Sequence, residues 1–85
     1  MNYFYEDISQ TISASGVSEA SLSLGEIPSS RFPIVSASAI HNFANFNVFV
    51  DNISFTAGSW VVKIRNSSGD FPVGTVIHLR AFARC

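Results

Sequence analysis

Apolar and polar residues alternate with a period of two through most of the chain, which predicts strands rather than helices. In "DISQTISAS" Ile8, Ile12 and Ala14 share one face with Gln10, while Ser9, Thr11 and Ser13 take the other. "EASLSLGEI" repeats the pattern with Ala20, Leu22 and Leu24 inward, and the intervening "GVS" supplies a turn at Gly16. Pro28 and Pro33 then interrupt pairing in "EIPSSRFP", because proline cannot donate to a ladder, so this segment reads as a loop joining two sheets. In the next strand, "IVSASAI", Val35, Ala37 and Ala39 oppose Ile34, Ser36, Ser38 and Ile40. Apolar residues on both of its faces predict that both are covered.

"FNVFVDNISF" is an aromatic and β-branched run of strand character, broken at Asp51-Asn52 by a tight turn or a bulge. Phe46, Val48 and Val50 are expected to face the core and Phe49 to face away, which leaves His41 to Asn45 as connection. A turn at "TAGS" leads to "WVVKIRN", with Trp60, Val62 and Ile64 on one side and Val61, Lys63 and Arg65 on the other. "NSSGDFP" turns about Ser68-Gly69. "GTVIHLRAFARC" then sets Thr75, Ile77, Leu79, Ala81 and Ala83 inward against Val76, His78, Arg80, Phe82 and Arg84. About six to seven short strands with regular turn signals predict an all-β chain folded as an antiparallel β-sandwich. The expectation is one domain over residues 1–85, with residues 1–6 frayed or in contact with a neighbouring subunit.

Size and composition add a partner to this picture. A domain of 85 residues hides only roughly 60% of the surface of its unfolded chain, so its core needs a supplement. Cys85 is the only cysteine, which excludes an intrachain disulfide, and no metal-ligand spacing is present. Oligomerisation is the remaining supplement. Phe49, Val61, Val76 and Phe82 alternate with inward residues and should lie in water beside charged neighbours, so they are the candidate subunit interface. A closed assembly would also remove exposed edge strands.

Charge narrows the partners further. The net charge is −1 and the basic residues are spread from Arg31 to Arg84, so no basic stripe is available for nucleic acid. "MNYFYEDISQ" lacks the positive and apolar regions of a secretory signal, and the apolar runs are too short to insert in a membrane as helices. The expectation is a soluble protein made in a cytosol, with Cys85 an inert thiol. Two glycosylation-type patterns, at Asn52 and Asn66, are taken as chance for the same reason.

The order "PIVSASAI…NVFVDNISFTAGSWVVKIRNSSGDFPVGTVIHLRAFAR" resembles the small β-sandwich at the carboxyl end of bacteriophage tail and minor structural proteins. The matching positions are Pro33 to Ser36, Asn47 to Val50, Gly58 to Gly69 and Val76 to Ala81, with a Ser/Gly-rich opening in "ISASGVSEASLSL". These are core and turn positions: Trp60 fills the sandwich, and Asn66, Ser68 and Gly69 build a turn. The resemblance implies a trimer at a tail tip or fibre, contact with host-surface saccharides, and an architecture comparable to the H-type lectins. Such domains usually end a long protein, whereas this chain begins at Met1, so it is either an excised domain or a stand-alone virion component.

Catalysis needs a nucleophile, a base and an orienting group. His41, His78, Asp51 and Asp70 are available, but no nucleophile elbow and no paired carboxylates accompany them, so neither an enzyme nor a metal or cofactor site is expected. A saccharide site instead needs amides that grip hydroxyls and an aromatic face for the ring. His41, Asn42, Asn45 and Asn47 offer the first, and Phe43 or Phe46 the second. The plainer account is that these asparagines serve turns while the phenylalanines bury themselves. Arg31 is the other candidate, since a guanidinium on a loop can fork to a carboxylate or phosphate. The resulting expectation is a non-catalytic phage or prophage virion module, either a receptor-binding domain for host saccharide or a purely structural subunit that binds other virion proteins.

Overall fold

The computed structural model describes residues 2–85, which form seven strands in two antiparallel sheets. The strands are β1 (Tyr3–Thr11), β2 (Glu19–Leu24), β3 (Ile34–His41), β4 (Ala44–Phe46), β5 (Val48–Thr56), β6 (Ser59–Asn66) and β7 (Val76–Arg84). One sheet has the order β1-β7-β3-β4 and the other β2-β6-β5. The all-β sandwich expected from the alternation is therefore present.

The inner faces follow the alternation closely on the two central strands. β6 buries Trp60, Val62, Ile64 and Asn66, and β7 buries Ile77, Leu79, Ala81 and Ala83. Small residues on β7 and β3 share one core with the bulky Trp60, Leu22, Leu24 and Phe71, which is how facing layers fill space without voids. The two ends of the sandwich are plugged by aromatic residues. At one end Trp60 meets Phe32 and Phe55 edge-on, with ring centroids 5.0 and 5.4 Å away. At the other, Phe71 is buried and its backbone N–H donates to the Val17 carbonyl.

Asp51 is the extra residue of a β-bulge: Val50 pairs with Ile64 and Asn52 with Lys63. The bulge lets both Val50 and Ile53 pack against the core although three positions separate them. Of the two devices expected at Asp51-Asn52, the bulge is the one that forms.

Four expectations change. Tyr3 to Glu6 do not fray, because they pair with Ala81 to Arg84 on β7, and the Cys85 N–H reaches the Asn2 carbonyl at 3.2 Å; Met1 lies outside the described residues. Glu6 even occupies the inner face, opposite Ala81, where its carboxylate accepts the backbone N–H groups of Gly25 at 3.1 Å and Glu26 at 2.9 Å. That contact ties the β1 edge of one sheet to the loop after β2 in the other. Ala14 is exposed in the turn beyond β1 rather than inward, while Ile12 is buried. The outer face of β3 is open: Ile34 is 61% exposed and Ile40 39%.

The fourth change concerns residues 41–50. His41 to Asn45 are not a plain connection, since His41 closes a β3–β4 hairpin against Ala44 and the turn holds only Asn42 and Phe43. Both have left-handed backbone, with φ of 50° and 64°, as in a type I′ turn. Asn47 then carries the chain between sheets, and its carbonyl accepts the Ser67 N–H at 3.0 Å and the Ser67 hydroxyl at 2.8 Å. Phe46, Val48 and Val50 do pack against the core, as expected, but from two different sheets.

Phe43 is a bulky residue in a conformation that favours glycine, and its side chain is fully exposed. Nothing inside the molecule offsets the cost of that backbone. Phe43→Gly is therefore expected to raise unfolding free energy by roughly 0.5–1 kcal/mol, less than the full 1–2 kcal/mol cost of left-handed backbone because glycine also frees the unfolded chain. Urea titration checks this, and a loss of stability would mean that the Phe43 ring makes a contact in solution.

Candidate functional site

The six residues expected to bind ligand do not form one site. Arg31 lies in the loop before β3, its N–H on the Pro28 carbonyl at 3.1 Å, while Asn42 and Phe43 lie beyond the other end of that strand. Eight residues of β3 separate them, roughly 25 Å at about 3.3 Å per residue. His41 is a packing residue: a Cβ added at Gly74 would lie 3.6 Å from its Cε1, and its ring stacks near Phe46 with centroids 6.5 Å apart. Gly74 itself has φ of 95° in the turn that begins at Pro72, so the His41 ring rests on backbone that only glycine takes easily. Asn42 and Phe43 project from the hairpin tip and Asn47 marks the crossing between sheets. Asn45 alone joins a continuous strand face, because it pairs with Ile40 on the outside of the four-stranded sheet.

The four expected interface residues are also divided. Phe49 pairs with Arg65, and Val61, which pairs with Ser54, lies on the same side of β6 as Arg65, so both belong to the outer face of the three-stranded sheet. That face is largely polar, with Arg65 bridging Glu19 at 2.9 Å and Asp51 at 3.3 Å. Val76 and Phe82 belong to the outer face of the four-stranded sheet. One interface cannot take up all four unless it wraps round the sandwich.

Register builds a more coherent surface on that second face. Because side chains alternate across each strand, the outward residues of β1, β7 and β3 fall into rows. Tyr5, Phe82 and Ile34 make one row, Asp7, Arg80 and Ser36 the next, and Ser9, His78 and Ser38 the third. Tyr3, in the row beyond with Arg84, sets its ring edge-on to Phe82 with centroids 5.9 Å apart. Tyr5 is 56% exposed, and Phe82 and Ile34 are likewise open to solvent. An apolar and aromatic strip thus borders two polar rows, each about 6.7 Å further along the strands.

The polar rows enclose a shallow cavity of about 240 Å³ lined by Ser36, Ala37, Ser38, His78 and Arg80. The Arg80 Nε lies 3.4 Å from an Asp7 carboxylate oxygen, which holds the guanidinium across the face. Both side chains remain well exposed, so this ion pair orients Arg80 more than it stabilises the fold. Among the described residues, the serine hydroxyls and His78 ring of the cavity form no side-chain hydrogen bonds within the protein. They are free to meet a ligand. A second cavity, about 350 Å³, opens near Phe4, Phe55 and the backbone of residues 25–29, where polar side chains are fewer.

His78 and Arg80 are readable from the sequence as outward residues of the last strand, but Asp7, Ser36 and Ser38 carry no signal of their own. What assembles them is the pairing of β7 with both β1 and β3. Among the described residues there is no cluster of three or more His, Cys, Asp or Glu side chains placed to hold a metal. No helix there is long and apolar enough to cross a membrane. No protein-family model, curated protein or solved structure matches the chain, and nothing in these comparisons links it to phage tail domains or H-type lectins.

Proposed function

We propose that the chain is a non-catalytic recognition module of a phage or prophage virion, which binds host-surface saccharide through the outer face of its four-stranded sheet. The observation that carries this reading is the aromatic strip of Tyr3, Tyr5 and Phe82 beside the polar rows of Asp7, Arg80, Ser36, Ser38 and His78. A sugar ring has the same two-sided chemistry, an apolar face of C–H groups and a rim of hydroxyls. The face is shallow and open, so a single site binds weakly. A trimer in the virion would repeat the contact three times, and avidity would supply the rest.

A glycan array at high protein concentration tests the reading. Binding to host polysaccharide is expected, and Tyr5→Ala should reduce it about tenfold, the equivalent of about 1.4 kcal/mol. Tyr5 is exposed on an edge strand, so this variant should remain folded. Wild-type protein that binds no saccharide while entering particles stably would sink the adhesion role.

The second reading is a purely structural virion subunit, and the exposure of Ile34 and Phe82 favours it, since apolar residues in that row also suit a protein partner. Light scattering separates the oligomer from the monomer independently. A folded monomer of 9.2 kDa at micromolar concentration would remove the trimer from either reading.

A further inference from the structure

We propose that the cavity lined by Ser36, Ser38, His78 and Arg80 is an anion subsite, so that the saccharide recognised is an acidic one carrying a carboxylate or a sulfate ester. This rests on the saccharide reading above and names its ligand class. Every polar side chain lining the cavity can donate hydrogen bonds, and the guanidinium can only donate. A neutral sugar offers hydroxyls that must both give and take, whereas an anion only takes. The nearest carboxylate, Asp7, contacts Arg80 through Nε. Among the described residues, the terminal nitrogens of that guanidinium have no acceptor within the protein.

Charge and size agree with this assignment. The outer face carries Arg80 and Arg84 against Asp7 alone, in a chain whose net charge is −1. Attraction to an anion is therefore a property of this face and not of the whole protein. Of the other acidic residues, Glu6 is on the inner face, Glu19 and Asp51 pair with Arg65 on the opposite sheet, and Glu26 and Asp70 lie in loops outside the strands. A cavity of about 240 Å³ is smaller than the roughly 300–1,000 Å³ typical of drug-sized ligands, which fits one ring and its acidic group. The neighbouring strip of Tyr5 and Phe82 lies one row away, so one ligand can meet both.

The experiment is a titration of isotopically labelled protein, followed by backbone amide shifts, with glucose, glucuronate, glucose 6-sulfate and inorganic sulfate as separate probes. Saturable shifts at Ser36, Ser38, His78 and Arg80 are expected with the acidic sugars, with affinity roughly tenfold above that for glucose. Comparing glucuronate with glucose 6-sulfate tells which acid the site prefers. Arg80→Gln should abolish the preference and Lys63→Gln, which changes the net charge equally but lies on the opposite sheet, should keep it. Glucose bound as tightly as the acidic sugars, shifts confined to another face, or a preference unchanged in Arg80→Gln would each overturn the anion subsite while leaving saccharide recognition to the array. Absence of any shift with the acidic probes at tens of millimolar also overturns it. Inorganic sulfate bound at the same residues as tightly as the sugar sulfate supports the anion site and counts against the saccharide.

Discussion

Trp60→Ala is expected to lower the unfolding free energy by about 3–5 kcal/mol, which is most of what a domain of this size holds. Trp60 is 7% exposed, opposite Leu24 on β2 and Phe55 on β5, so truncation opens a cavity between strands that cannot close independently. It also removes two edge-to-face pairs, with Phe32 and Phe55, each worth about 0.5–1.5 kcal/mol beyond area burial. The indole Nε1 donates to the Pro28 carbonyl at 2.9 Å, so the same side chain anchors the loop between the sheets. Guanidinium denaturation should show the midpoint falling by half or more with its slope preserved. Trp60→Phe keeps a ring but not the donor and is expected to cost about 1–2 kcal/mol. A Trp60→Ala cost below about 1.5 kcal/mol would show that the loop collapses into the space.

The consequence reaches the candidate face. The loop held by Trp60 delivers the chain to Ile34, which belongs to the same row as Tyr5 and Phe82. Losing the anchor should therefore loosen one corner of the apolar strip before the polar rows are affected, because Arg80, His78, Ser36 and Ser38 lie further along strands paired on both sides of β7. Weakened saccharide binding in a folded Trp60→Phe variant would be an indirect effect through Ile34.

Alternation reveals which side of its own strand a residue takes, and for β6 and β7 that was sufficient to place Trp60, Val62, Ile64, Ile77, Leu79, Ala81 and Ala83 in the core. It does not reveal which sheet the strand joins. Phe49 and Phe82 both read as outward, yet they face opposite directions because pairing partners are chosen over long sequence separations. The run "FNVFV" reads as one strand because nothing local marks Asn47 as the crossing between sheets. Glu6 was hidden for another reason. A carboxylate at an inward position contradicts the pattern unless two backbone N–H groups are waiting for it, and these come from Gly25 and Glu26, nineteen and twenty residues away. The polar rows of the candidate face share this dependence, since Asp7, Arg80 and Ser36 are neighbours only in the paired register.

Phe71 is the counterpart of Trp60 at the other end of β6, and Phe71→Ala is likewise expected to cost about 3–5 kcal/mol. The sequence places it in a turn-rich segment, "NSSGDFP", where a phenylalanine attracts no notice. In the fold it is 2% exposed and among the largest fully buried side chains. The loop is built to put it there. Asn66 accepts from the Ser68 N–H at 3.1 Å and donates to the Asp70 carbonyl at 3.2 Å, and the Phe71 N–H meets the Val17 carbonyl across from it. Truncation leaves these backbone contacts in place, so the loss measured is that of the ring and the cavity behind it. Phe71→Leu should recover more than half of the stability, because most of the volume returns. The two plugs stand at opposite ends of an eight-residue strand, far beyond the roughly 7–10 Å over which substitutions couple. The milder pair Trp60→Phe and Phe71→Leu should therefore combine additively, within about 0.5 kcal/mol, when measured by denaturation. A clear excess over additivity would mean that the core transmits strain from end to end, and that the candidate face between the plugs is not as rigid as its paired strands imply.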